Sequence, residues 1–369
     1  MKIATITCHD VYNYGASLQA YALQSYCESL GCEYSIIDYK PDYLSGHYSL
    51  SAINNERFDH FLIRDLYRLA KLPGRLKRLK RKQRFDDFTG RFLKRSEIRY
   101  DSLQHLREDP PEADLFIAGS DQIWNTFLKN GTDAAFYLDF VKSHSRKISY
   151  AASFATTKIF NNADQFVKEK LRNFDAISVR ESSAVQLLDK LGYKDACLVC
   201  DPVFLLNSAS WLKIAPQCID APENFILVYD CERSAKLREI ALEVKKKAKL
   251  PIVIISDTLG KYADKDLSLS GPLEFIGLFS KARHVIANSF HALAFSLIFQ
   301  KEFFIVNRTE AINSRMQDFL KFLNLDSRLI SSAKDINLDF IDYNECSKRL
   351  ETLIGQSKTF LNNQITNVD

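Results

Sequence analysis

Short apolar runs alternate with longer stretches of helical spacing along almost the whole chain, and few folds accept that pattern. In the first half, Lys2–Thr7, Tyr34–Asp38, Leu115–Ala118, Lys147–Ala151, Ile177–Val179 and Ala196–Val199 read as strands. In the second half, Phe225–Tyr229, Pro251–Ser256, His284–Ala287 and Phe303–Val306 do so. Between them lie segments with helical spacing, among them Ala16–Leu30, Glu181–Leu191, Ala235–Lys249, Leu273–Lys281 and His291–Phe299. Strands that alternate with helices build parallel sheets joined by crossovers. Asp201-Pro202 closes the first series, and Asn207–Glu223, with Pro216 and Pro222, reads as a connection. The expectation is two Rossmann-like α/β domains facing a cleft. Their bounds are 1–206 and 207–340, and a C-terminal helix in 341–369 packs back on the first. A chain of 369 residues suits two domains. The cleft between them is a usual place for a ligand.

With 46% hydrophobic and 26% charged residues, the chain can fill two cores and is not of the disordered class. A net charge of +4 is too small to imply nucleic-acid binding by itself. Its distribution matters more. From Arg64 to Arg99 there are 14 Lys/Arg against 4 Asp/Glu. This stretch belongs to a basic helical insertion, at about 58–99, in the first domain. Phe58, Phe61, Leu62, Leu66 and Leu69 sketch one helix, and Leu76, Leu79, Phe85, Phe88 and Phe92 a second. Such helices can rest on an anionic membrane or pack on the core with a solvated basic face. No nucleic-acid module is recognisable.

The eight cysteines include one C-x-x-C pair, Cys197 and Cys200, with no second pair to complete a zinc site. CLVCDPVF reads as a buried strand, so inert core thiols are expected. Nothing resembles a secretory signal, and the longest apolar helical run, Ala292–Phe299, is far short of a membrane span. A cytoplasmic chain follows, with the inner membrane face as one setting.

Four segments carry candidate chemistry. Leu115–Ala118 stops at Gly119, and the polar Ser120-Asp121 follows, with Asp121 either a helix cap or a carboxylate in the cleft. Asn13-Tyr14-Gly15-Ala16-Ser17 joins the first strand to its helix. A glycine there lets a ligand approach helix N–H groups, which favour anions. Arg180, just past a strand at the cleft edge, suits a carboxylate or phosphate, or else a local pair with Glu181 or a domain-packing ion pair. Asn288-Ser289-Phe290-His291 opens an apolar helix, where the dipole disfavours a charged histidine, leaving it available as acid or base. No G-x-G-x-x-G or Walker lysine supports a dinucleotide or P-loop site.

Taken together, these segments resemble the polysaccharide pyruvyl transferase family. The matching pieces are Asn13-Tyr14-Gly15 with Leu18-Gln19, Gly119–Asn125, Ser149–Phe154, Ser178–Glu181, Asp201-Pro202-Val203, and Ser289-Phe290-His291 with Ala294-Phe295. The resemblance implies a GT-B-like fold and transfer of pyruvate from phosphoenolpyruvate onto hydroxyls of a sugar in a polysaccharide precursor, forming a cyclic ketal. It implies that Arg180 and His291 contact phosphoenolpyruvate, and that Asp121 lies near the reacting centre. His291 and Asp121 are then the catalytic candidates. Arg180, Asn13, Gly15, Ser120, Ser289 and Asp201 are the substrate-binding ones. No cofactor and no metal is expected, with phosphoenolpyruvate as donor substrate. The other expected partner is a glycan acceptor, lipid-linked in one form, with peripheral membrane contact through 58–99 and no nucleic acid. The rival readings are a GT-B nucleotide-sugar glycosyltransferase and a non-catalytic glycan- or membrane-binding protein.

Overall fold

The structure, a computed structural model, describes residues 1–45, 79–142, 145–256, 261–309 and 313–366. Two parallel sheets dominate it. The first takes β1 (Lys2–Ile6), β2 (Glu33–Tyr39), β3 (Arg95–Tyr100), β4 (Leu115–Ala118) and β5 (Arg146–Ser149) in the order β3-β2-β1-β4-β5. A small parallel pair, β6 (Ser178–Val179) and β7 (Cys197–Leu198), continues it beyond β5 through bridges at Ile148–Ala176 and Ala152–Val179. The second sheet takes β8 (Ile226–Tyr229), β9 (Ile252–Ile254), β10 (Lys265–Asp266), β11 (His284–Ala287), β12 (Glu302–Val306) and β13 (Leu329–Ile330), in the order β10-β9-β8-β11-β12-β13.

Central strands β4, β8, β11 and β12 are buried at every position, as strands covered on both faces must be. In each sheet the strand order reverses once, between β1 and β4 and between β8 and β11. Open α/β sheets bind ligands at the carboxyl ends of the strands flanking such a reversal. The loops that matter are therefore 7–13 and 119–128 in the first half and 230–234 and 288–290 in the second.

One core runs through both halves. Tyr14, the first residue of the helix Tyr14–Ser29, stacks on Phe275 of the second half at 4.6 Å. Its hydroxyl donates to Ser270 O at 2.8 Å. The terminal helix Tyr343–Thr366 reaches back onto first-half residues. Tyr26 Oη donates to Asn362, Arg146 donates to Gln364, and the Cys200 N–H donates to Ser357 Oγ.

Two local expectations change, and a third falls outside the described residues. The insertion is not helical to residue 99: Arg95–Tyr100 is an edge strand of the first sheet, paired with β2. Its charged, mostly exposed sequence is what an edge strand carries against unwanted pairing, and it hides the strand from a hydrophobicity reading. The helix sketched at Phe58–Leu69 lies outside the described residues. Helical residues 79–92 turn Phe85 and Phe88 into the core, with Arg84 donating to Leu269 O of the second half. The strand at 197–200 is only two residues long and both are exposed, so Cys197 is not a core thiol, whereas Cys200 is buried.

Candidate active site

Side chains from both halves meet around Arg180, whose side chain is fully enclosed. β6 ends at Val179 and delivers it between three carboxylates. Nη1 donates to Asp201 Oδ2 at 2.5 Å and to Ser120 Oγ at 3.3 Å, and Nη2 donates to Asp121 Oδ1 at 3.2 Å. Nε lies 3.9 Å from Glu181 Oε2. Burial alone would favour the neutral guanidine, but Asp201, Asp121 and Glu181 override it and raise the Arg180 pKa. Arg180 is thus not at the cleft edge but held rigidly from beneath.

Asp121 does not cap a helix. The chain after Gly119 runs on as turns, and Asp121 takes a left-handed backbone at φ 74° that bridges to Ala152. A non-glycine residue held there is costly unless its surroundings fix it. Ser120 is fixed from below, its carbonyl accepting from Thr7 Oγ1 at 2.9 Å. Glu181 ties down the neighbouring loop, one carboxylate oxygen accepting from Ser153 Oγ and from the N–H groups of Phe154 and Ala155.

Asp201 is the hub. Its Oδ1 accepts from Val203 N at 3.1 Å, while Oδ2 faces Arg180, Ser120 and, at 3.5 Å, His291 Nε2. Burial would raise its pKa, but His291 and Arg180 outweigh that and hold the carboxyl well below the usual range. His291 comes from the second half, in the first turn of Phe290–Ile298. Its Nε2 lies in ion-pair range of Asp201 without making a hydrogen bond among the described residues. On the other side its ring presses on Gly15: a Cβ there would lie 1.9 Å from Nδ1. Gly15 is therefore a seat for His291.

The two helix starts at the site differ. At Tyr14–Ser29, Asn13 Oδ1 already accepts from Gly15 N at 2.9 Å and Ala16 N at 3.4 Å. Those N–H groups are not the open anion site that the glycine suggested. At Phe290–Ile298 the N-cap Ser289 makes no side-chain cap bond, so the first-turn N–H groups keep their capacity for an anion. Behind Ser289, Asn288 ties the loops after β8 and β11 together: its amide donates to Asp230 at 2.9 Å and its carbonyl accepts from Cys231 N at 2.8 Å.

One site residue escaped the sequence reading. Arg315 lies in the first turn of Ser314–Phe322, is only 7% exposed, and has no hydrogen bond or ion pair among the described residues. Burial and the nearby Arg180 lower its pKa to about 10. An arginine at a helix N-terminus opposes the dipole, and that was the available signal. Among the described residues Arg315 is a buried guanidinium with no hydrogen bond or ion pair, beside an uncapped helix start and a carboxylate-braced arginine.

The whole chain superposes on solved GT-B-type structures at low identity. UDP-GlcNAc 2-epimerase from Neisseria meningitidis bound to UDP-GlcNAc matches at TM-score 0.50 and 14% identity, with 99% of each chain covered. The S. aureus MnaA–UDP co-structure matches at 0.52 and 12%, covering 99% of this chain and 95% of that one. An E. coli trehalose-6-phosphate structure bound with UDP-2-fluoro glucose matches at 0.51 and 9%, with both chains fully covered. At such identities the likeness establishes the fold alone. No curated protein matches the chain. The family model for polysaccharide pyruvyl transferase matches residues 13–310, a span that holds every candidate site residue except Arg315. The chain belongs to the polysaccharide pyruvyl transferase family, and is a transferase by that membership.

Proposed function

We propose that this transferase moves pyruvate from phosphoenolpyruvate onto two hydroxyls of a sugar in a polysaccharide precursor. The observation that carries the reading is Arg315, without a hydrogen bond or ion pair among the described residues, sharing the Phe290 ring with the braced Arg180 at the uncapped start of Phe290–Ile298. Phosphoenolpyruvate brings a phosphate and a carboxylate on one small carbon frame, which matches two guanidiniums and a helix start.

The chemistry balances without a redox partner. A first sugar oxygen bonds to C2 of the enolpyruvate as its proton leaves to a base and the methylene carbon takes a proton. The second sugar oxygen then replaces the phosphate at C2 by C–O cleavage, its proton leaving with the phosphate. His291 is the candidate proton donor or phosphate partner. Asp121, its carboxylate shared with Arg180, is the base or the anchor of a sugar hydroxyl. Asp201 already accepts from Val203 N, Ser120 Oγ and Arg180 Nη1, so its role is to hold Arg180 and His291 in place, and Ser120 supports it. Ser289, with its hydroxyl unused as a cap, and the exposed Asn13 flank the site as substrate contacts.

The acceptor class follows the family. No helix among the described residues is long and apolar enough to cross a membrane. Contact of residues 58–99 with an anionic leaflet, or with a lipid-linked acceptor, is proposed on their charge alone, and co-sedimentation with anionic vesicles tests it. Protein that fails to pellet at low salt removes the membrane role. The donor is tested by equilibrium binding of radiolabelled phosphoenolpyruvate against a nucleotide sugar such as UDP-GlcNAc. Binding of the first supports the reading. Binding of the nucleotide sugar alone overturns it in favour of glycosyl transfer.

A further inference from the structure

Two like-charged guanidiniums do not share a buried space without help. Arg180 has carboxylates in hydrogen-bond contact, whereas among the described residues Arg315 makes no hydrogen bond or ion pair and feels Glu181, Asp121 and Asp201 only through space, and Arg180 is itself one cause of the low Arg315 pKa. Among the described residues, the group in contact with both guanidiniums is the ring of Phe290. The guanidinium carbon of Arg180 lies over that ring at 5.3 Å from its centroid, and that of Arg315 at 5.8 Å. Phe290 is 6% exposed, so these contacts are nearly dry. An aromatic face carries negative potential and attracts cations most strongly when desolvated. The ring is also fixed sideways, against His291 at 5.6 Å and 85° and against Phe319 at 5.7 Å.

We propose that Phe290 is the positioning residue of the anion site: its π-electrons hold the guanidiniums of Arg180 and Arg315 against one ring, so that both border the place of a single anionic ligand before it arrives. This goes beyond packing. A side chain of equal volume without a π-face would let Arg315 withdraw from Arg180, and the ligand would then have to gather the pair at a cost in affinity. The inference rests on the two arginines being the anion clamp, as proposed above, and its test separates the two ideas.

The experiment replaces Phe290 with its mono-, di- and trifluorinated analogues. Fluorine drains the ring face of charge in steps while nearly preserving its shape. Dissociation constants are measured by calorimetry for two probes, inorganic phosphate and phosphoenolpyruvate, with thermal unfolding to confirm an unchanged fold. The logarithm of each constant is expected to rise steadily along the series, reaching about tenfold weaker binding at the end, the scale of one desolvated cation–π contact. Phe290→Leu is expected to weaken both probes at least as much. Constants that stay flat along the fluorinated series overturn the proposal even if phosphoenolpyruvate binds tightly. A graded loss of phosphate binding in a protein that ignores phosphoenolpyruvate upholds Phe290 and overturns the donor. Wild-type protein that binds neither probe overturns both.

Discussion

Gly15→Ala is the substitution whose consequence the geometry fixes most tightly. The added methyl would stand 1.9 Å from His291 Nδ1 and 2.3 Å from Cε1 and Cγ. An ordinary contact begins at 3.4 Å, so the ring must withdraw by about 1.5 Å, the difference of those two distances. That movement pulls Nε2 off Asp201 and off any proton it delivers. A misplacement of about 1 Å costs on the order of 10²-fold in rate. Stability responds differently. Gly15 lies in the first turn of Tyr14–Ser29 with an ordinary helical backbone, where alanine gains about 0.5–1 kcal/mol. Overpacking costs about 1–3 kcal/mol, so the net loss lies between about zero and 2.5 kcal/mol, and the protein stays folded. The assay is phosphate release from phosphoenolpyruvate with a glycan acceptor, beside thermal unfolding. The expected variant is folded and at least about 10²-fold slower, close to His291→Ala. A folded variant with normal turnover refutes the seating of His291 and its part in the chemistry.

Arg180→Lys loses the planar two-donor fork, and phosphoenolpyruvate affinity measured by calorimetry should fall by about 10-fold or more. Arg315→Ala should leave the unliganded protein as stable or more so, because it removes a buried charge with no ion pair among the described residues, yet abolish the rise in unfolding temperature expected of the wild type with inorganic phosphate. Asp201 has its folded-state pKa depressed, so its stabilisation is full above its unfolded value of about 4 and is lost as pH falls below it. In urea melts, the stability gap between wild type and Asp201→Asn should therefore narrow steadily from about pH 5 to pH 3. Asp121→Asn should collapse turnover while acceptor binding persists if Asp121 is the base. Failed acceptor binding with near-normal turnover at saturation assigns it to the sugar instead.

What the sequence made legible was the part carried by strong periodicity. Apolar runs such as Phe225–Tyr229 and Phe303–Val306 carry no charged residue to confuse them, and both lie in central strands. Edge elements were not legible: β3, β10 and β13 are short or charged because edges must resist further pairing. At the site, single residues were legible and their relations were not. Arg180 follows β6, Asp201 follows β7 and His291 follows β11, and only the packing of the two halves brings them together. Gly15 was read as room for a ligand when the room belongs to a histidine 276 positions away, the difference between 291 and 15. Arg315 was passed over because an arginine in a surface-like helix looks ordinary until its partners are counted.

The most direct test of the account is product analysis. The protein is incubated with phosphoenolpyruvate and a panel of free and lipid-linked glycans, and each acceptor is read by mass spectrometry while phosphate is measured in parallel. The account predicts a glycan bearing a pyruvate ketal, with one phosphate released for each ketal formed. Acceptors left unmodified by protein that binds phosphoenolpyruvate, or glycosylated from a nucleotide sugar instead, would contradict it.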